Sequence, residues 1–155
     1  MENTSTGKPT NYRWVIVSLL FFATTVNYLD RQVLSLLQPL LAEEFHWTDS
    51  DYGTIVAIFS LVYAISMLFA GKIVDKLGTK KGYIWSIVIW SVGAIIHSLS
   101  GVVTESILGL PNADALRAVA KGTDLAAQIS MISVIAFTFC RVVLAIGESG
   151  NFPAA

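Results

Sequence analysis

The sequence predicts an all-α membrane protein with four spans, and three observations carry that prediction. Hydrophobic residues make up 54% of the 155 and charged residues only 14%, against roughly a quarter charged in an ordinary soluble domain. Four stretches, Trp14–Leu29, Gly53–Ala70, Gly82–Leu99 and Leu125–Cys140, hold almost no ionisable side chain. Each approaches the ~20 apolar residues needed to cross a bilayer as a helix. The charges between them are sorted by position: Lys8 and Arg13 precede the first stretch, and Lys72, Lys76, Lys80 and Lys81 separate the second from the third. Lys/Arg-rich short loops stay cytoplasmic, which puts the N-terminus and the 71–82 loop inside and the other two connections outside.

Residues 1–12 read as a polar cytoplasmic tail. The first span is expected at about 13–38. Trp14–Leu29 alone gives only about 24 Å of helix, and apolar character resumes at Val33-Leu34-Ser35-Leu36-Leu37 before Pro39. The helix is therefore expected to pass through Asp30 and Arg31. Asn27-Tyr28-Leu29-Asp30-Arg31 is no small-residue cleavage site, so the span is retained. Thr48-Asp49-Ser50-Asp51 reads as a helix cap with an acidic residue three positions on, opening a second span at about 49–71. Gly53, Ala57, Ser60 and Ala64 line one stripe of it, and a stripe of small residues is expected to pack tightly on a neighbouring helix.

The third span, about 81–99, starts with Tyr83 and Trp85 at the inner interface. His97 near its outer end reads as interfacial, with a proton relay as the alternative. The outer segment 101–124 is long for a helix–helix connection. Pro111-Asn112 would start a short helix there, with Asp114 in its first turn, Lys121 in its last and Gly122 as its stop. The fourth span is expected at about 126–155. Cys140, the only cysteine, reads as a small buried apolar side chain. No Cys/His spacing suggests a metal, no basic stripe suggests nucleic acid, and neither enzyme activity nor a cofactor is expected.

Four charges fall where lipid should be. A charge at the centre of a membrane helix costs about 2.5–3.5 kcal/mol, so Asp30, Arg31, Arg141 and Glu148 would together cost ~10–14 kcal/mol if unpaired at mid-depth. Such residues face a bundle interior or a water-filled cavity. Arg141 and Glu148 are two helical turns apart and share a face; Asn27, Tyr28 and Arg31 share a face of the first helix, and Tyr63 adds a phenol from the second. Two arginines suit a carboxylate ligand, which a guanidinium fork binds through two oxygens. Protonation of Asp30 and Glu148 would leave a positive site that attracts an organic anion, a physical route to proton–anion co-transport. The plainer alternative is that the two acid–base pairs neutralise each other and lock helices.

A second constellation is Gly71-Lys72-Ile73-Val74-Asp75-Lys76-Leu77-Gly78-Thr79-Lys80-Lys81. Its glycines permit a tight turn and close helix approach, Asp75 can accept hydrogen bonds from the start of a facing helix, and its lysines set topology. This segment resembles the signature loop between the second and third helices of the major facilitator superfamily. Asn-Tyr-Leu-Asp-Arg at 27–31 and Gly-Glu-Ser-Gly-Asn-Phe-Pro-Ala-Ala at 147–155 resemble the anion:cation symporter family within it, and most closely its bacterial hexuronate (sugar-acid) transporters.

The resemblance covers most of 11–99 and 130–155 and leaves out 101–124. It implies the first four transmembrane helices of a twelve-helix fold in two six-helix halves, with the site between the halves, in a bacterial cytoplasmic (inner) membrane. Asp30 and Glu148 would be the proton-coupling residues. Arg31 would hold the substrate carboxylate, and Tyr28 and Tyr63 would line the sugar-acid site. Arg141 would add positive potential or tune Glu148. Gly71, Asp75, Lys76, Gly78, Lys80 and Lys81 would belong to a cytoplasmic gate. Ala145 departs from the glycine that many superfamily members carry four residues after this arginine.

The partners implied are an organic anion, a proton, membrane lipid and the remaining helices of the transporter. The chain is accordingly expected to be an N-terminal fragment or truncated product that does not transport alone. Another organic anion (galactonate, glucarate) or sodium coupling stays open. From other classes, a complete four-helix oligomeric membrane protein or a non-transporting scaffold fragment stays open too; the first sits badly with paired arginines that would repel cationic drugs, and the second leaves the intramembrane charges unexplained.

Overall fold

The computed structural model describes residues 12–151 of the chain. Six helices follow one another there: α1 (Tyr12–Glu44), α2 (Asp49–Leu77), α3 (Thr79–Ser98), α4 (Ser100–Leu108), α5 (Ala113–Arg117) and α6 (Asp124–Ser149). No strand occurs among the described residues. By length and composition α1, α2 and α6 can each cross a membrane, and α3 with α4 makes a fourth candidate, bent by 44°.

The chain divides between Leu34 and Ser35 into two units. The first is the leading part of α1. Trp14, Leu19, Phe21 and Phe22 stand exposed along it, the arrangement of a helix whose apolar side chains meet lipid. Thr24 and Thr25 keep their hydroxyls satisfied inside the helix by donating to the carbonyls of Leu20 and Phe21, 2.8 Å each.

The second unit begins with the rest of α1, which runs through Pro39 to Glu44, past the residue 38 at which the sequence suggests an end. Pro39 removes one N–H from the helix ladder, and the helix continues beyond it. Thr48 then opens α2 with the reciprocal cap that the sequence predicts. Its backbone N–H donates to Asp51 Oδ2 at 2.8 Å, and its Oγ1 accepts from the Asp51 N–H at 3.3 Å.

The core of this unit is α6, which packs against α2, α3 and α4. Its buried residues Ile129, Ser133, Phe137, Cys140, Arg141, Leu144 and Glu148 recur every three or four positions, one face of a helix. Met131, Ile135, Phe139 and Ile146 on the other side are exposed. Cys140 is buried, its Sγ 3.4 Å from Ser100 Oγ on α4.

Glycines set how closely α3 and α6 approach. A Cβ on Gly93 would stand 3.1 Å from the Leu144 backbone N, one on Gly147 would collide with the Trp90 backbone, and one on Gly150 with the Ser86 hydroxyl. The three contacts pair residues in antiparallel register, falling on α3 as they rise on α6. The expected small-residue stripe of α2 behaves differently. Gly53, Ala57, Ser60 and Ala64 are all exposed, and nothing lies within 4 Å of a Cβ placed on Gly53. α2 instead buries Ile55, Ala70 and Val74, which lie on a different face of the helix from that stripe.

The 101–124 segment also departs from the sequence expectation. α3 resumes after Leu99 as α4, so helix continues to Leu108, where Gly109 at φ 68° ends it. The short helix does start with Asn112, whose Oδ1 accepts from the Ala115 N–H at 2.9 Å. It stops at Arg117 instead of near Lys121, and Gly122, at φ 84°, turns the chain into the Thr123 cap of α6.

Two sets of contacts fasten this end of the unit. Phe45, Trp47, Phe137 and His97 form an aromatic cluster with ring centroids 4.9–5.6 Å apart, and the Trp47 indole N–H donates to Ser133 Oγ at 2.7 Å. α5 is clipped to the end of α1 by Arg117 Nη2 to Glu44 Oε2 at 2.6 Å and by His46 Nε2–H to the Leu116 carbonyl at 3.1 Å. Glu44 raises the Arg117 pKa further above its ordinary value through the hydrogen bond and its charge, so raising the pH does not break this pair from the arginine side. His46 holds a left-handed backbone at φ 57°, a conformation a non-glycine residue adopts only when its surroundings hold it there.

Gly147→Ala is expected to destabilise the chain in detergent by about 1–3 kcal/mol, the usual cost of overpacking. Ile146→Ala, on the exposed side of the same turn, should change the melting temperature little. Arg117→Gln should speed amide exchange in 109–122 while leaving protection in α2, α3 and α6 as it was.

Candidate functional site

The residues singled out from the sequence fall into three places. Tyr28, Asp30 and Arg31 lie on α1 in the first unit, midway along an unbroken helix; Tyr28 is exposed, and Asp30 and Arg31 are half-buried. They stay helical because the apolar residues on both sides of the Asp-Arg pair continue the same run.

In the second unit, Arg141 and Glu148 lie on the buried face of α6, 3% and 1% exposed. Seven residues of helix separate them by about 10 Å along the axis. Phe137, Leu144 and Ala145 are buried around them. Ala145, which stands where many superfamily members have glycine, is buried in contact-close packing and its methyl is accommodated.

α2 brings a further residue to Arg141. The guanidinium carbon sits over the Phe59 ring, 5.4 Å from its centroid, and Phe59 stacks on Tyr63 one turn along, centroids 6.2 Å apart and planes at 13°. The structure thus joins Tyr63 to Arg141 through an aromatic residue that the sequence reading passes over. Its only signal is the Phe59/Tyr63 spacing of four in a span whose other residues are mostly aliphatic or small, which places two rings on one helix face. A cation over a ring face keeps its N–H donors for other partners, and in a desolvated site such a contact is worth about 2 kcal/mol or more. A buried guanidinium, with a buried carboxyl two turns along the same helix face, is a group that can bind a carboxylate.

The third place is the 71–81 loop, at the opposite end of α2 from the Thr48 cap. Gly78 alone joins α2 to α3, serving as the last cap of one and the first of the other at φ 80°. Its N–H donates to the Val74 carbonyl at 2.8 Å, and its own carbonyl accepts from the Gly82 N–H at 2.9 Å. The tight turn expected of these glycines is therefore made at Gly78. Close approach falls to Gly82, where a Cβ would stand 3.0 Å from Val74 Cγ2, while Gly71 has nothing within 4 Å. Asp75, Lys76, Lys80 and Lys81 are exposed.

The motif 147–155 is described as far as Asn151; residues 152–155 lie outside the described part. Within it Gly147 and Gly150 admit α3, and Glu148 between them is buried. His97 packs edge-on against Phe137, 5.2 Å between centroids, in the aromatic cluster. Among the described residues no group of three His, Cys, Asp or Glu side chains gathers that could hold a metal ion.

Gly78→Ala is expected to destabilise the chain by about 1–3 kcal/mol through its positive φ. Gly71→Ala, in open space on a helix, should be neutral or stabilising by up to about 1 kcal/mol. Thermal unfolding of the two variants checks the pair.

A model of the Major Facilitator Superfamily matches residues 20–155 of this chain. Among curated relatives, a "Probable galactarate/D-glucarate transporter" of Escherichia coli is 36% identical over 93 residues, 60% of this chain and 21% of the relative. A "Hexuronate transporter" of Escherichia coli is 34% identical over 120 residues, 77% of this chain and 25% of the relative. A "Galacturonate transporter" of Dickeya chrysanthemi is 34% identical over 80 residues, 52% of this chain and 23% of the relative. The chain thus spans about a fifth to a quarter of the length of the curated relatives it matches. No solved structure matches it.

Proposed function

The chain belongs to the Major Facilitator Superfamily, and we propose that it forms part of a secondary active transporter that takes up a sugar-acid anion, of the hexuronate class, together with a proton. The observation that carries this reading is the buried Arg141 and Glu148 on one face of α6, within an otherwise apolar helix. Ionised groups at such a position are expensive to keep and mark substrate or proton paths. Similarity to proteins named as hexuronate and galacturonate transporters supports the substrate class.

Asp30 and Glu148 are the protonatable coupling residues. Arg31 takes the substrate carboxylate, Tyr28 and Tyr63 offer phenols to the sugar hydroxyls, and Arg141 supplies positive potential and tunes Glu148. With all four charged groups ionised their formal sum is zero. Protonating both carboxyls leaves two guanidinium charges, which favour an anion. Departure of the anion leaves those charges uncompensated, so the carboxyls release their protons. Each cargo thereby makes the other's binding more favourable, the reciprocity that coupling requires. Asp75 and the loop lysines, with Gly71 and Gly78, serve a gate at the cytoplasmic side of an inner membrane, the N-terminus being cytoplasmic.

A second reading, a dicarboxylic sugar acid as substrate, has the relative named for galactarate and D-glucarate in its favour. The remaining alternative in coupling is sodium in place of the proton.

Uptake of labelled glucuronate into proteoliposomes tests both residues and substrate, using the intact transporter that carries this chain. Arg31→Lys should weaken uptake about 10- to 100-fold, the worth of a charge-assisted hydrogen bond. Glu148→Gln should retain exchange but lose its pH dependence. Proton-coupled, wild-type-like uptake by both variants contradicts the assignment, and stronger competition by glucarate than by galacturonate favours the second reading.

A further inference from the structure

The leading part of α1 holds a buried polar side chain that the residue assignments above leave without a role. Asn27 is 1% exposed and, with Leu34, makes up the buried positions of α1. Among the described residues neither Nδ2 nor Oδ1 of its carboxamide has a hydrogen-bond partner. Thr24, one turn before it, donates its hydroxyl hydrogen to the Leu20 carbonyl. Asp30 and Arg31 follow Asn27 at three and four positions, on the same helix face. A carboxamide withdrawn from water with both ends unmatched costs the fold free energy, and asparagine suits a helix interior less well than alanine or leucine. Packing alone therefore gives no reason for asparagine at this position.

The chemistry of the group restricts what can satisfy it. Nδ2 donates and Oδ1 accepts, so a ligand that completes both ends must itself accept and donate. A carboxylate only accepts and is repelled by Oδ1; a metal cation offers nothing to Nδ2–H. Two neighbouring hydroxyls of a sugar ring serve both ends at once, one accepting from Nδ2–H and the other donating to Oδ1. Arg31 lies one turn on, where Cβ atoms stand about 5–6 Å apart, of the order of the distance from a sugar acid's carboxylate to its ring hydroxyls. We propose that Asn27 is a substrate-binding residue that reads a pair of adjacent hydroxyls and so selects polyhydroxylated acids over plain carboxylates. This rests on the reading that the Asn27–Arg31 face of α1 lines a sugar-acid site, and deepens it by naming a residue that sets the substrate class.

Calorimetric titration of the intact transporter that carries this chain, in detergent, tests it with two probes. One is glucuronate; the other, tetrahydropyran-2-carboxylate, keeps the ring and the carboxylate and lacks every hydroxyl. The wild type should bind glucuronate the more tightly. Asn27→Leu, close in size and without polar atoms, should melt at about the wild-type temperature. It should raise the Kd for glucuronate about 10- to 100-fold, the usual loss when buried hydrogen-bonding groups go unmatched. The Kd for the hydroxyl-free acid should stay as it was or fall, because the carboxamide which that acid left unmatched is gone. Asn27→Ala should show the same crossed pattern. In the wild type, removing the ring hydroxyls singly should weaken binding at two adjacent positions, and those two losses should vanish in Asn27→Leu.

Loss of affinity by one factor for both acids in the two variants reduces Asn27 to a structural residue and overturns the proposal. Unchanged binding of both acids overturns it too, and so does a failure of both variants to fold, which would show that the carboxamide serves the fold. With any of these results, glucuronate binding that still depends on Arg31 leaves the sugar-acid reading standing without Asn27. A wild type that binds the two acids equally, or binds neither, contradicts the sugar-acid reading itself, and the role of Asn27 falls with it.

Discussion

A charged side chain inside an apolar helix is costly unless neighbouring groups compensate its charge. α6 carries two such groups, and much of the second unit is arranged around their face. The same stripe that buries Ile129, Phe137 and Leu144 buries Arg141 and Glu148, so the apolar periodicity that makes α6 the core helix also takes the charges out of solvent. Phe59 then meets the guanidinium from α2. Replacing the charges by apolar residues of similar size would cost the fold little and could stabilise it, which is why their presence points to chemistry instead of packing.

That arrangement depends on how near α3 can come to α6. Gly93, Gly147 and Gly150 remove the side chains that would hold the helices apart, and the last two flank Glu148. Close packing and a buried carboxyl are thus built into one short sequence, Gly-Glu-Ser-Gly-Asn. At the other end, the aromatic cluster and the Glu44–Arg117 and His46–Leu116 contacts fix the outgoing chain of α4 and α5 to the end of α1.

Features governed by local chemistry were legible in the sequence. The Thr48/Asp51 cap, the continuation of α1 through Asp30 and Arg31, the Asn112 start of a short helix and the burial of Cys140 all follow from residues close in the chain or from hydropathy. The membrane class and the family were legible too, the latter through the loop at 71–81. Features set by which neighbour a face meets were not. The stripe Gly53, Ala57, Ser60, Ala64 has the right spacing for tight packing, but spacing does not say whether a partner is there. Phe59 reads as one more apolar residue until α6 brings Arg141 across it. The short α5 is held by contacts with Glu44 and His46, far away in sequence. Tyr28, Asp30 and Arg31 are placed on their helix by sequence and structure alike, and their chemistry is a matter for function.

The central claim is that Glu148 and Asp30 exchange protons with solvent in step with anion binding. Proton uptake by the intact transporter on addition of glucuronate, read with a pH indicator in lightly buffered detergent solution, tests it most directly. Binding should be accompanied by net proton uptake, which shrinks when Glu148 is replaced by glutamine. Anion binding with no proton uptake, or with proton release, would contradict it.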